Sequence, residues 1–306
     1  MPRRGRAADR WLFDHLPYYA AWFRFAMFWR YGDGLLATLR KDPDWPHPDR
    51  SMNRRNDRHR AEMAAFLERE LDGRPDLLER CLPTYPPYGK RILIDNGWFR
   101  TLRRPNVELV TEPIERVDGD TVVTTDGARR PVDVVVLATG FQVMQMAARL
   151  GIRGRRGVDL ADVWADDQAA AHLGITVPGF PNLFLMGGPN TGLGHGGSGM
   201  FVAECQARYV VDAVLHLARR RERAPAAGDA IAGRTAPPPV LEVRREVHDE
   251  YVARVDAEHE QLIWTHPGMT NWYRNRHGRI VAIMPWRLVD YWSMTRRVDP
   301  SDFLDS

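Results

Sequence analysis

Cysteine is nearly absent: the 306 residues contain two, Cys81 and Cys205, and no C-x-x-C pair. That excludes a disulfide framework and a cysteine-built metal site, and a reducing, cytoplasmic setting is the simplest expectation. Long apolar runs are also missing. The most membrane-like stretch, Leu16 to Trp29, is interrupted by Arg24 and is too short to span a bilayer. It is expected to be a buried aromatic helix, not a membrane anchor. No apolar run follows Arg3, Arg4 and Arg6, so no secretory signal is visible. The ten histidines form no H-E-x-x-H. Glu258-His259-Glu260 and His248-Asp249-Glu250 lie in a helical stretch, where a solvated charged face is the ordinary explanation, so no metal is expected. No G-x-S-x-G elbow occurs, which disfavours an esterase. The net charge of +3 is spread along the chain apart from Arg3/Arg4/Arg6 and Arg219/Arg220/Arg221/Arg223. The second cluster ends a predicted helix, where cations complement the dipole. Without a recognition motif, nucleic acid is not an expected partner.

What is present is globular: 44% hydrophobic and 27% charged residues, with ten tryptophans that fill cores more often than they bind ligands. Residues 9 to 40 and 53 to 82 read as helical and irregular, separated by the proline-rich Asp42 to Pro48. A strand-rich section follows: Arg91 to Asp95, Val107 to Val110, Thr121 to Thr125 ending at the turn Asp126-Gly127, and Val132 to Leu137. The last run is apolar and β-branched except for Asp133, as expected of a strand buried on both faces. A short helix near Leu160 to Trp164 and a further buried strand, Pro181 to Met186, lead into a glycine-rich loop, Gly187 to Gly199. A long helix from Met200 to about Arg221, an Ala/Gly/Pro-rich linker over 224 to 239, and an amphipathic helix over Val240 to Trp264 complete the pattern. The class is α/β.

Within the loop, Gly192-Leu193-Gly194-His195-Gly196-Gly197 matches G-x-G-x-x-G between a strand and a helix. A dinucleotide fingerprint needs a second strand soon after the helix, ending in an acidic residue for the ribose. Here the helix runs into arginines and a linker, so that reading is disfavoured. No Lys-Ser/Thr follows, so the loop is not a P-loop. A turn poor in side chains still lets a ligand approach the backbone, and the helix behind it offers free N–H groups and partial positive charge. Such an end suits negative charge on a reduced flavin ring. The plainer explanation is a structural turn, which seven glycines in thirteen residues make less attractive.

These residues resemble a known family. Pro181-Asn182-Leu183-Phe184 through Gly188-Pro189-Asn190-Thr191-Gly192-Leu193-Gly194-His195 is similar to the flavin-side loop of Baeyer–Villiger monooxygenases, closest to the branch acting on hydroxyacetophenones. Asp133 to Phe141, with Ala138-Thr139-Gly140-Phe141, resembles a motif shared with flavin-containing monooxygenases. Pro86-Pro87-Tyr88-Gly89-Lys90-Arg91 resembles the segment re-entering the NADPH domain. Asn271-Trp272-Tyr273 with Gly278-Arg279 resembles a C-terminal cofactor-contact loop. The resemblance runs from about residue 10 to the end.

The resemblance implies FAD and NADPH as cofactors, O2 as oxidant, and a small ketone converted to an ester or lactone. Arg91 is then the catalytic arginine, its permanent charge stabilising developing oxyanions. By position alone it reads as a surface residue at a strand start. Lys90 would meet the NADPH 2′-phosphate, and Trp272 would pack on NADPH. Gly188, Pro189, Asn190, Gly194, His195 and the helix start at Met200 would line the flavin. Thr139 and Gly140 would lie where the two cofactor domains join. The implied fold is an incomplete flavoprotein with two dinucleotide-binding domains: a helical inserted segment (1–86), the second half of an NADPH domain (87–141) and the C-terminal part of an FAD domain (142–306). The family's N-terminal glycine motifs and its F-x-G-x-x-x-H-x-x-x-W fingerprint do not occur. The chain is therefore expected to need an N-terminal half, possible as a separately encoded partner, to hold FAD and react. Alone it is expected to expose unpaired apolar sheet edges and to aggregate. Oxidation of soft nitrogen or sulfur centres, and a non-catalytic subunit of a split flavoprotein, are the alternatives.

Overall fold

A computed structural model describes residues 7–141, 146, 150–194, 196–223 and 238–304. His195, expected to line the flavin, and most of the predicted linker fall outside them.

The N-terminal third is helical, as its composition predicts: α1 (Ala7–His15), α2 (Tyr19–Phe28), a π-helical turn (Trp29–Asp33), α3 (Gly34–Leu39), α4 (Arg54–Glu70), α5 (Pro75–Cys81) and α6 (Trp98–Leu102). Asn53 starts α4 by accepting from the Arg55 and Asn56 amides, as an N-cap should. The same side chain donates to the Arg40 carbonyl at 2.7 Å, tying α4 to the end of α3. The expectation for Leu16 to Trp29 is corrected. The stretch is helical but not buried: Trp22 is 68% exposed, and Phe25 and Trp29 also face outward. Aromatic content alone does not say which surface a helix finds.

One small antiparallel sheet is present among the described residues: β1 (Ile114–Asp118), β2 (Thr121–Thr124) and β3 (Arg129–Pro131), in that order. β2 and its Asp126-Gly127 turn are where the sequence puts them. None of the other predicted strands joins a sheet among the described residues, and the expected buried strand Pro181 to Met186 instead opens as a turn, with Asn182 at φ 56° and its amide donating to the Leu241 carbonyl at 2.9 Å. Arg91 to Asp95 and Val132 to Leu137 are not buried on either face: Ile94 is 90% exposed, and Val134, Val136 and Leu137 are open too. Their apolar, β-branched pattern is that of a sheet interior, but no strand among the described residues covers them.

The C-terminal half carries the main cores. α8 (Gly199–Arg223) and α9 (Arg245–Glu260) pack through Tyr209, Ala213, Tyr251 and Val255 against Leu173, Ile175, Val243 and Phe303. Predicted residues 240–264 divide, because Leu241 to Val243 is extended and Val243 bridges Phe303 before α9 begins. Between α7 (Leu160–Val163) and α8 lies the glycine loop. α10 (Leu288–Met294) is capped by Asp33, whose carboxylate accepts from the Leu288 and Val289 amides, so the helical third is pinned to the C-terminal half. A second core joins Leu36, Leu39 and Met52 to Leu262, Ile263, Trp264, Tyr273 and Ile283.

Two buried histidines make stability depend on pH. Burial holds His172 down to about 4 and His259 down to about 3, and His259 Nε2 faces the Ile283 carbonyl at 3.1 Å. Both stay neutral in the fold, while the unfolded chain takes protons from about pH 6.5. The unfolded state therefore binds more protons below that pH, and stability falls as pH drops from about 6.5 toward 4. Thermal midpoints measured across this range are expected to decline, and to decline less in His172→Gln/His259→Gln. Parallel profiles would refute the assignment.

Candidate active site

The segment leading to Arg91 is held at every step. Asn56, fully buried, donates to the Pro87 carbonyl at 3.1 Å. The Trp264 indole N–H donates to the Tyr88 carbonyl at 3.3 Å. The Tyr88 hydroxyl and His59 Nδ1 are 2.8 Å apart. Tyr88 has a left-handed backbone, φ 70°, which turns the chain. Gly89 follows with Met269 against it, leaving no room for a side chain. Lys90 places its ammonium 4.6 Å from the centre of the Tyr85 ring, a cation–π contact.

This scaffold delivers Arg91 to the glycine loop. Its guanidinium NH1 donates to the Leu193 carbonyl at 2.8 Å, across 102 residues of sequence. Its charge also reaches Tyr273, where burial pushes the phenol up and Arg91 opposes the shift. The Tyr273 hydroxyl is buried and has no hydrogen-bond partner. Trp272 is half exposed beside it, ring centres 4.5 Å apart. Arg91, Leu193, Trp272 and Tyr273 thus form one cluster.

The loop owes its glycines largely to packing. A Cβ on Gly192 would stand 2.7 Å from the Ala282 carbonyl, and one on Gly194 2.5 Å from the Trp264 ring. Gly188 sits against the Gly174 carbonyl and Gly197 against Leu288. Gly192 exchanges backbone hydrogen bonds with Ala282 and Met284. Asn190 is buried at φ 56° and spends its amide on the Ile280 and Ile283 carbonyls, at 2.8 and 3.2 Å. Pro189 is also buried. The plainer, structural account therefore explains most of these residues. By contrast, Gly187 and Gly199 have open space around them, and Met200 is exposed at the start of α8. The 25-residue helix starts there, its Phe201 and Val202 amides donating to the Ser198 carbonyl at 3.0 and 3.3 Å. Gly194→Ala is expected to destabilise the protein by about 1–3 kcal/mol through overpacking against Trp264, read as a lower thermal midpoint; an unchanged midpoint would show that the ring yields.

Thr139 and Gly140 are not part of this cluster. They lie in the exposed extended segment that ends at Phe141, 94% exposed. Sequence reasoning missed Trp264, which is fully buried and touches Tyr88, Gly194 and Tyr273. Its only sequence signal is its place at the end of an amphipathic stretch. Tyr273 was visible as part of Asn271-Trp272-Tyr273, without a role.

No family model matches the chain. An uncharacterized monooxygenase of Sinorhizobium fredii is 39% identical over 294 residues, covering 96% of this chain and 42% of that protein. A Baeyer–Villiger monooxygenase of Streptomyces coelicolor is 32% identical over 229 residues, covering 75% and 41%. A steroid monooxygenase structure bound to NADP superposes with TM-score 0.64 at 27% identity, over 82% of this chain and 45% of that one. OTEMO in complex with FAD and NADP superposes with TM-score 0.66 at 22% identity, over 79% and 42%, a likeness of fold. The described architecture is thus part of the FAD/NAD(P)-binding flavoprotein fold. The chain spans about two fifths of the length of the curated relatives it matches.

Proposed function

The chain belongs to the Baeyer–Villiger flavin monooxygenases over the two fifths of their length that it spans, and from that premise we propose that it is the catalytic-arginine portion of an FAD- and NADPH-dependent enzyme converting ketones to esters or lactones. The observation that carries this reading is the Arg91 guanidinium on the glycine loop, 2.8 Å from the Leu193 carbonyl.

The cluster fits a flavin and a nicotinamide. A permanent cation, an unpartnered buried phenol at Tyr273 and an open helix N-terminus at Gly199 are a donor set suited to a flat, anionic ligand. When bound, FAD supplies the oxygen activation and NADPH the reducing equivalents. Arg91 stabilises negative charge that grows on oxygen as a ketone carbonyl is attacked. The start of α8 at Gly199 and Met200 holds the flavin side, with Gly188 and Gly194 fixing the loop. Trp272 offers its half-exposed ring to the nicotinamide dinucleotide. Lys90 meets the 2′-phosphate once it leaves Tyr85. Residues 87–141 belong with the NADPH-binding domain, 142–306 with the FAD-binding domain, and 1–86 with a helical insertion. The two free cysteines fit a cytoplasmic protein.

The remaining part of the fold is supplied by an N-terminal half, encoded separately if the chain is a true subunit. The bare strands support this, since Leu93, Ile94, Val134, Val136 and Leu137 present apolar edges. Ile94→Asp/Leu137→Asp is expected to reduce self-association of the lone chain in sedimentation and to abolish capture of the N-terminal half. Retained capture would move the docking surface elsewhere.

The test is co-expression with the preceding portion of a relative. The pair is expected to be yellow, to oxidise NADPH and to form an ester from a ketone panel, while the chain alone does none of these. A pair that oxidises only amines or sulfides would change the reaction. A pair that takes up no flavin would overturn the proposal, and a yellow, active lone chain would refute the need for a partner.

A further inference from the structure

A second polar centre lies beneath the glycine loop. The turn from His172 to Thr176 carries Gly174, whose carbonyl supports Gly188, and the Leu173 carbonyl accepts from the Tyr291 hydroxyl at 2.8 Å. Six buried polar atoms around this turn have no hydrogen-bond partner. They are both ring nitrogens of His172, Thr176 Oγ1, Tyr209 OH, Arg244 Nε and His248 Nε2. His172, Thr176 and Tyr209 are each less than a tenth exposed.

The groups share one neighbourhood. His172 Nε2 is 3.8 Å from the Asp302 carboxylate, and the His172 ring meets Tyr251 edge-on at 5.3 Å. The Arg244 amide donates to the Asp302 carbonyl at 2.9 Å. Tyr209 and Tyr251 pack with Leu173 and Ile175 in one core. The unpartnered atoms thus come from the turn, from α8, from the start of α9 and from Arg244 just before it.

Leaving six such atoms unbonded would cost about 1–3 kcal/mol each, which few folds carry. We propose that ordered water is built into the protein here, about two molecules given three bonds to each. The donor and acceptor balance selects water over an anion. His248 Nδ1 is engaged by the Asp249 carboxylate, at 2.8 Å, so its Nε2 accepts when the ring is neutral. Arg244 Nε donates, a neutral His172 both donates and accepts, and the two hydroxyls do either. An anion would leave the acceptors unmet and would sit beside Asp302. The waters join the turn under Gly188 to α8, α9 and the extended segment before α9, which makes them part of the loop's foundation independently of any cofactor.

A high-resolution crystal structure of the full chain is the test. Density peaks roughly 2.7–3.2 Å from at least three of the six atoms are expected. Oxygen-17 relaxation dispersion should also report fewer long-lived waters in Thr176→Val/Tyr209→Phe than in the unaltered protein. Should that variant fail to fold, the crystal structure of the unaltered protein decides. Side chains bonded directly to one another with no density between them would overturn the proposal. So would an anomalous peak at this place after bromide soaking.

Discussion

Arg91→Ala is expected to lower ketone oxygenation by the reconstituted enzyme by about 10²–10³-fold, the scale of losing one preorganised charge donor at a developing oxyanion. Stability should barely change, because Arg91 is exposed and its bond to the Leu193 carbonyl is single. Lysine in its place should recover little. A compact ammonium on a shorter reach does not reproduce the planar fork that bonds Leu193 while leaving further N–H groups for the reacting oxygen. The measurement is ester formation at saturating ketone and NADPH, together with flavin content. A variant that keeps its flavin and loses less than tenfold would remove Arg91 from the chemistry. One that loses its flavin would recast Arg91 as a binding residue.

Trp264→Ala should have the largest effect on stability, about 3–5 kcal/mol. The indole is completely buried and occupies the junction of three segments. Its N–H bonds the Tyr88 carbonyl, and its ring fills the space Gly194 leaves open. Removing the ring leaves a cavity between the arginine-bearing segment and the glycine loop. Phenylalanine retains part of the packing and loses the hydrogen bond, so Trp264→Phe should cost less. Denaturant titration checks both. A loss under about 1 kcal/mol for alanine would mean that the segments collapse onto each other without it.

The helices and the meeting of Arg91 with the loop were legible because they rest on local pattern and on motif order. Gly199 to Arg223 is one continuous helix, as its periodicity predicts. The strands were legible as apolar runs only. Whether Ile94 or Val136 is buried depends on which strands pair beside them, which no local pattern records, and among the described residues none does. The outward face of Trp22 and Phe25 escaped for the same reason. The glycines were read as a ligand cradle, whereas Gly188, Gly192 and Gly194 answer first to Gly174, Ala282 and Trp264. Those contacts join segments 14 to 90 residues apart. Asn190 likewise resembled a flavin neighbour, but its side-chain amide bonds carbonyls near residue 280.

The bare run from Val134 to Phe141 has a cellular consequence. Adjacent β-branched and aromatic side chains facing water are what chaperones retain and proteases sample, and they are also seeds for cross-β stacking. Were the remainder of the fold made as a separate polypeptide, as proposed above, copies in excess of it would be cleared or deposited, and the scarcer polypeptide would set how much assembled enzyme a cell holds.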